Sequence, residues 1–92
     1  MLIIKTPLQL GAVLRTTRTA LNIQAEDLAS MTRTSAVSLR RLEDGNATSA
    51  LRRLFALLDE LGIEMHLAVP PQAGAIDIPA LTSKPNRRRA RP

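Results

Sequence analysis

The sequence predicts an all-α fold: four helices, then one short strand and a basic tail, in a single small domain. Three observations predict it. Apolar residues recur at helical spacing in successive segments of the chain. Capping residues stand before most of these segments, and Asn or Gly stands just after them. Beyond residue 62 the apolar period drops to two, the spacing of a strand.

The first helix starts at Thr6-Pro7-Leu8-Gln9. Thr6 can cap, Pro7 suits the first helical position, and Gln9 completes a capping box. Leu10, Val13, Leu14, Thr17 and Leu21 then share one face, and Asn22 offers a left-handed exit. A second, short helix runs from Ala25 to about Met31, with Glu26 and Asp27 in its first turn, where carboxylates favour the helix dipole. Leu28 and Ala29 face inward. Ser35 caps a third helix, about Ala36 to Asp44, which turns Leu39 and Leu42 inward and stops at Gly45. Thr48 or Ser49 caps the fourth, where Leu51, Leu54, Phe55, Leu58 and Leu61 follow helical spacing until Gly62.

Ile63, Met65, Leu67 and Val69 alternate with Glu64, His66 and Ala68, and Pro70-Pro71 ends the run. A lone strand leaves its backbone unpaired. Leu2 to Lys5 is the one other strand candidate, and the economical partner is the same strand of a second copy across a two-fold axis. Residues 1–71 thus form the folded and dimerising domain, and 72–92 a flexible tail rich in Pro, Ala and Arg. Within that tail, Ala75 to Leu81 is apolar enough to dock on a partner subunit or another protein.

Composition narrows the function. A chain of 92 residues buries only ~60–65% of its unfolded surface. With no Cys and one His, disulfides and His- or Cys-rich metal sites are excluded, which leaves oligomerisation as reinforcement. No apolar run approaches the ~20 residues that span a bilayer, and no basic segment precedes the short apolar start, so a cytoplasmic protein is expected. The net charge of +5 favours nucleic acid as partner. Phe55, the only aromatic residue, argues against single-strand binding by base stacking. Glu26/Asp27, Glu43/Asp44 and Asp59/Glu60 are sequence neighbours and point to different sides of their helices, so no catalytic pair is expected, nor any cofactor or metal. His66 reads as a half-exposed strand residue, and the Arg87 to Arg91 cluster as a solubilising tail that adds non-specific DNA affinity.

Ala25 to Asp44 forms one unit: short helix, turn, short helix. Small Ala29 lets the second helix cross closely, while Leu39 and Leu42 hold it and leave Ala36, Val37, Arg40 and Arg41 outward. This is helix-turn-helix geometry, in which the second helix lies in the major groove. The stretch Gln24-Ala25-Glu26-Asp27-Leu28-Ala29, then Ser35, then Leu39-Arg40-Arg41-Leu42-Glu43-Asp44-Gly45, resembles the phage-repressor-like (Cro/C1-type, XRE-like) helix-turn-helix family. Leu10-Gly11, Arg15, Arg18 and Leu61-Gly62 extend the resemblance. The start Ile4-Lys5-Thr6-Pro7 and the ending Leu61-Gly62-Ile63-Glu64-Met65 are most similar to the HipB-like antitoxins of that family.

The resemblance implies a homodimeric repressor of its own operon that also neutralises a HipA-like kinase toxin. It implies a structural ion pair between Arg18 and Glu43. Its DNA-contacting positions fall on Arg33, Thr34, Ser35, Ala36, Val37, Arg40, Arg41 and Asn46, while the lone strand and the fourth helix place the dimer contacts on Leu58, Ile63, Met65, Leu67 and Val69. Arg40 or Arg41 would contact guanine, and Ala36 and Val37 the thymine methyls. Two residues depart from the family pattern: Ala25 stands where Gln usually anchors a phosphate, and Arg33 where Gly usually makes the turn. Those departures favour an alternative of another class, a protein that mainly sequesters a partner and binds DNA weakly. A stand-alone regulator without a toxin is a third reading.

Overall fold

The computed structural model describes residues 2–46 and 48–76. The order is β1 (Leu2–Ile4), α1 (Pro7–Ala20), α2 (Ala25–Met31), α3 (Ala36–Glu43), α4 (Ser49–Leu61) and β2 (Met65–Leu67), followed by a 3-10 turn at Pro71–Ala73. The described residues are mainly helical, with one small antiparallel sheet among them.

Local chemistry sets the helix starts. The Thr6 hydroxyl accepts the Gln9 N–H at 3.1 Å with Pro7 at the first position, while Gln9 Oε1 accepts at 2.6 Å from the N–H of Lys5, one residue before the cap, rather than from Thr6 itself as a capping box would. Ser35 accepts the Ser38 N–H at 3.0 Å, and Thr48 accepts the Leu51 N–H at 3.2 Å. Gln24, before α2, makes no side-chain cap.

All four helices end in the same way. Each closes with a pair of backbone bonds that reach back over the last turn, around one residue at positive φ. The pairs are Asn22→Thr19 and Ile23→Arg18 after α1, and Arg33→Ser30 and Thr34→Ala29 after α2. They are Gly45→Leu42 and Asn46→Arg41 after α3, and Gly62→Asp59 and Ile63→Leu58 after α4. The left-handed residues are Asn22 (φ 58), Arg33 (φ 60), Gly45 (φ 84) and Gly62 (φ 69). Three of these are Gly or Asn, the residues that occupy this conformation at least cost. Arg33 is the exception.

Two apolar clusters hold the fold. Ile4, Val13 and Phe55 are buried together, with Leu2, Leu10, Leu51, Leu58, Met65, Leu67, Val69 and Ile76 packed around them. Ala25, Ala29 and Leu39 form a second, smaller cluster between α2 and α3, flanked by Leu28 and Ala36. Packing therefore continues to Ile76, past the boundary expected at residue 71. The rest of the tail, including the basic cluster at its end, lies outside the described residues.

One edge of β2 is paired within the chain, by the other strand candidate that the sequence offered. β2 pairs antiparallel with β1 of the same chain, in the register Leu2↔Leu67, Ile3↔His66 and Ile4↔Met65. Strand alternation puts Leu2, Ile4, Met65 and Leu67 on the core side and Ile3 and His66 on the outer side. The short N-terminal run is thus long enough to satisfy one edge of β2 without a second copy.

Candidate nucleic-acid interface

The α2–turn–α3 unit is oriented by its attachment to α1. Gly11 is buried where α1 crosses the end of α3. A Cβ added there would lie 2.6 Å from the Glu43 carbonyl oxygen and closer still to that of Leu42. Only a glycine permits this approach.

A cluster of charges locks the same crossing. Glu43 is 2% exposed, the one buried charged residue among those described. Arg18 grips it with two hydrogen bonds, Nε to Oε2 at 2.6 Å and Nη2 to Oε1 at 3.0 Å, and donates a third from Nη1 to the Ile23 carbonyl at 2.9 Å. Arg15 adds Nε to Glu43 Oε1 at 3.3 Å and reaches Asp44 with Nη2. The Arg18 hydrogen bond is the main reason that the Glu43 carboxyl sits below the usual glutamate value; burial opposes it and Arg15 assists. A carboxylate at a helix C-terminus opposes the dipole, so the two guanidinium groups also offset that cost.

With this anchor, the face of α3 is defined. Leu39 and Glu43 are buried and Ala36 is half-buried. At about 100° per residue, Arg41 falls about 180° from the midpoint of Leu39 and Glu43. Val37, Ser38, Arg40 and Arg41 are all exposed. The inner stripe therefore centres on Glu43 rather than Leu42, which is 39% exposed.

The sequence-derived contact positions divide accordingly. Arg33, Thr34, Ser35, Val37, Arg40, Arg41 and Asn46 are exposed on or beside this unit. Ala36 is turned toward the α2–α3 cluster, so it is not the freely outward residue anticipated. Its neighbour Ser38 takes an outward place and also shares a hydrogen bond with Ser35, Oγ to Oγ at 3.0 Å. Sequence reasoning missed Ser38, although its two-residue offset from Ala36 carried the signal. It also missed a contact across the unit: Arg40 Nη2 lies 2.7 Å from Glu26 Oε2. Asn46 contributes its backbone N–H to the Arg41 carbonyl at 2.8 Å, which closes α3.

Chemically, this surface offers guanidinium groups, hydroxyls and one apolar side chain on a short helix braced from behind. Such a set can grip phosphate and present donors to base edges.

The residues expected at a dimer contact fall into two groups. Leu58, Met65, Leu67 and Val69 pack on the chain's own core. Ile63 is exposed at 51%, and so are Leu54, Leu57 and Leu61 at 43%, 53% and 70%. α4 is thus apolar on two sides, one turned to the core and one outward. Among the described residues no group of His, Cys, Asp and Glu is arranged to hold a metal, and no helix is long and apolar enough to cross a membrane. No family model, curated protein or solved structure matches the chain.

Proposed function

We propose that the chain is a sequence-reading DNA-binding protein, a helix-turn-helix repressor that lays α3 in the major groove and works as a homodimer. One observation carries this reading. α3 is braced from behind by Gly11 and the Arg18–Glu43 pair, and it turns Val37, Ser38 and Arg41 outward. A short helix held this rigidly, with a polar and basic outer face, is what base reading requires.

Backbone strain supports it. Arg33 occupies a left-handed position at a cost of about 1 kcal/mol, where the other three helix ends use Gly or Asn. A strained cation retained beside an exposed basic helix suits a phosphate contact that offsets the strain. Charge placement matters more than its sum. Lys84, Arg87, Arg88, Arg89 and Arg91 lie in the last nine positions and account for all of the net +5, so residues 1–83 balance basic against acidic groups.

The second copy would cover Leu54, Leu57, Leu61 and Ile63, the outward apolar surface of α4 and its exit. Two α3 helices would then meet successive major grooves about 34 Å apart. The antitoxin role, with a HipA-like kinase as partner, rests on the family resemblance alone; co-purification with a kinase encoded beside this chain tests it.

The test of DNA reading is selection from a random duplex pool, followed by fluorescence anisotropy on the selected and a scrambled duplex at two salt concentrations. A preference for the selected duplex that survives at both salts is the expected result. Equal, salt-sensitive binding to both would overturn base reading and favour a protein that mainly sequesters a partner.

A further inference from the structure

The adjacent arginines of α3 look interchangeable in sequence, and their surroundings separate them. Arg41 stands diametrically outward from the buried stripe, and no ion pair engages it among the described residues. Arg40 stands on the flank that faces α2, where its Nη2 meets Glu26 Oε2 at 2.7 Å. Glu26 occupies the first turn of α2, a position where the helix dipole favours a carboxylate. Its carboxyl is held below the ordinary value by its own backbone N–H first and by Arg40 second. At neutral pH the Glu26 carboxyl is therefore ionised. Glu26 is also a negative charge at the rim of a surface that, on the reading above, faces phosphate.

We propose that Glu26 is a tether that withholds Arg40 from DNA, so that Arg41 alone of the pair reads a base and the affinity of the surface is held down by design of its own α2. This rests on the DNA-binding reading. Glu26 touches no base; it acts through Arg40. A protein that grips DNA with every available cation binds all sequences well, because phosphate contacts carry no sequence information. Neutralising Arg40 internally removes one such contact per protomer and leaves the base contact of Arg41 intact. Specific and non-specific binding are lowered together as a result, so the surface keeps its base preference at a lower overall affinity and a shallower salt dependence.

The experiment uses the full chain, the duplex enriched from a random pool, and a scrambled duplex of the same length, titrated by anisotropy from 50 to 200 mM salt. Glu26→Gln should tighten binding to both duplexes and steepen the salt dependence by about 0.9 log unit per freed arginine, roughly a 3-fold greater loss of affinity across that salt range for each phosphate gained. Arg41→Ala should cut the preference for the enriched duplex by about 5- to 150-fold, the discrimination of one bidentate base contact. Arg40→Ala should leave that preference within about 3-fold of the parent, since on this account it reads no base.

Glu26→Gln in an Arg40→Ala background separates tethering from simple repulsion. No added steepening there supports the tether. The same steepening with or without Arg40 would overturn it, as would a loss of base preference on Arg40→Ala with Arg41→Ala silent. Glu26 and Arg40 are both exposed, so their variants keep the fold; an unchanged thermal midpoint confirms this in each sample. If no duplex is enriched at all, the DNA-binding reading fails and the tether falls with it. Enrichment with an unchanged slope on Glu26→Gln sinks the tether alone.

Discussion

Replacing Gly11 with Ala sets two physical effects of opposite sign against each other. Judged from helix propensity alone, Gly→Ala inside the 14-residue α1 should stabilise by ~1 kcal/mol. The crossing geometry says otherwise. The new Cβ would sit 2.6 Å from the Glu43 carbonyl oxygen and 2.9 Å from its carbonyl carbon, with the Leu42 carbonyl nearer still. These atoms are backbone and cannot swing away as a side-chain tip would. Relief requires α1 and α3 to part by about 1 Å, and overpacking of this kind costs ~1–3 kcal/mol or more. Parting them also stretches the 2.6 Å Arg18–Glu43 bond, whose carboxylate is buried. We expect Gly11→Ala to lose about 2 kcal/mol net, a fall of roughly 8–16 °C in Tm for a domain of this size. Urea and thermal unfolding followed by far-ultraviolet circular dichroism measure it. A variant more stable than the parent would show that α1 and α3 do not approach as described, and the bracing of α3 would lose its basis.

The other predictions concern charge, strain and assembly. Arg33→Gly should stabilise the protein by about 1 kcal/mol, because it removes the left-handed strain; the same variant should flatten the salt dependence of duplex binding by about 0.9 log unit. A lower unfolding midpoint for that variant would contradict the turn geometry. Glu43 has a depressed folded pKa, so its stabilisation is present in full above the unfolded value of about 4.3 and is lost as pH falls from there through the folded value. Urea midpoints should therefore fall more steeply with acid in the parent than in Glu43→Gln, and parallel curves would argue against the pairing. At neutral pH, Glu43→Gln should itself cost about 3 kcal/mol, as expected when a buried pair is broken. Leu57→Glu combined with Leu61→Glu should give a folded monomer by sedimentation, since both side chains point away from the core. A dimer that persists would move the interface elsewhere. Leu67→Asp should unfold the chain instead, because Leu67 packs against its core.

The parts of the fold legible in sequence are those governed by neighbours along the chain. Thr6 and Gln9, Ser35 and Thr48 mark helix starts because a cap acts over three residues. Asn22 and Gly62 mark helix ends because few residues accept a positive φ. Arg33 carries no such mark, and the strained turn there was expected only from the family resemblance, which usually has Gly at that position.

What the sequence hid depends on elements far apart in the chain. Leu42 looked like the inner residue of α3 because it is apolar, yet Glu43 takes that place once Arg18 of α1 meets its charge. The Glu26–Arg40 contact spans 14 residues and two helices, beyond any local pattern. The strand partner depended on whether the three residues of β1 could reach β2, a question of tertiary path. Leu54 and Leu61 were counted with the core stripe and Leu57 was left unassigned, although the spacing of the three describes a second apolar face.

The central claim is that the outer face of α3 reads DNA. Amide chemical-shift mapping of the isotope-labelled chain, titrated with its enriched duplex, tests it most directly. The largest changes are expected from Arg33 to Arg41, with α4 and β2 scarcely moved by the duplex. Changes centred on Leu57 to Ile63, with α3 unmoved, would contradict it.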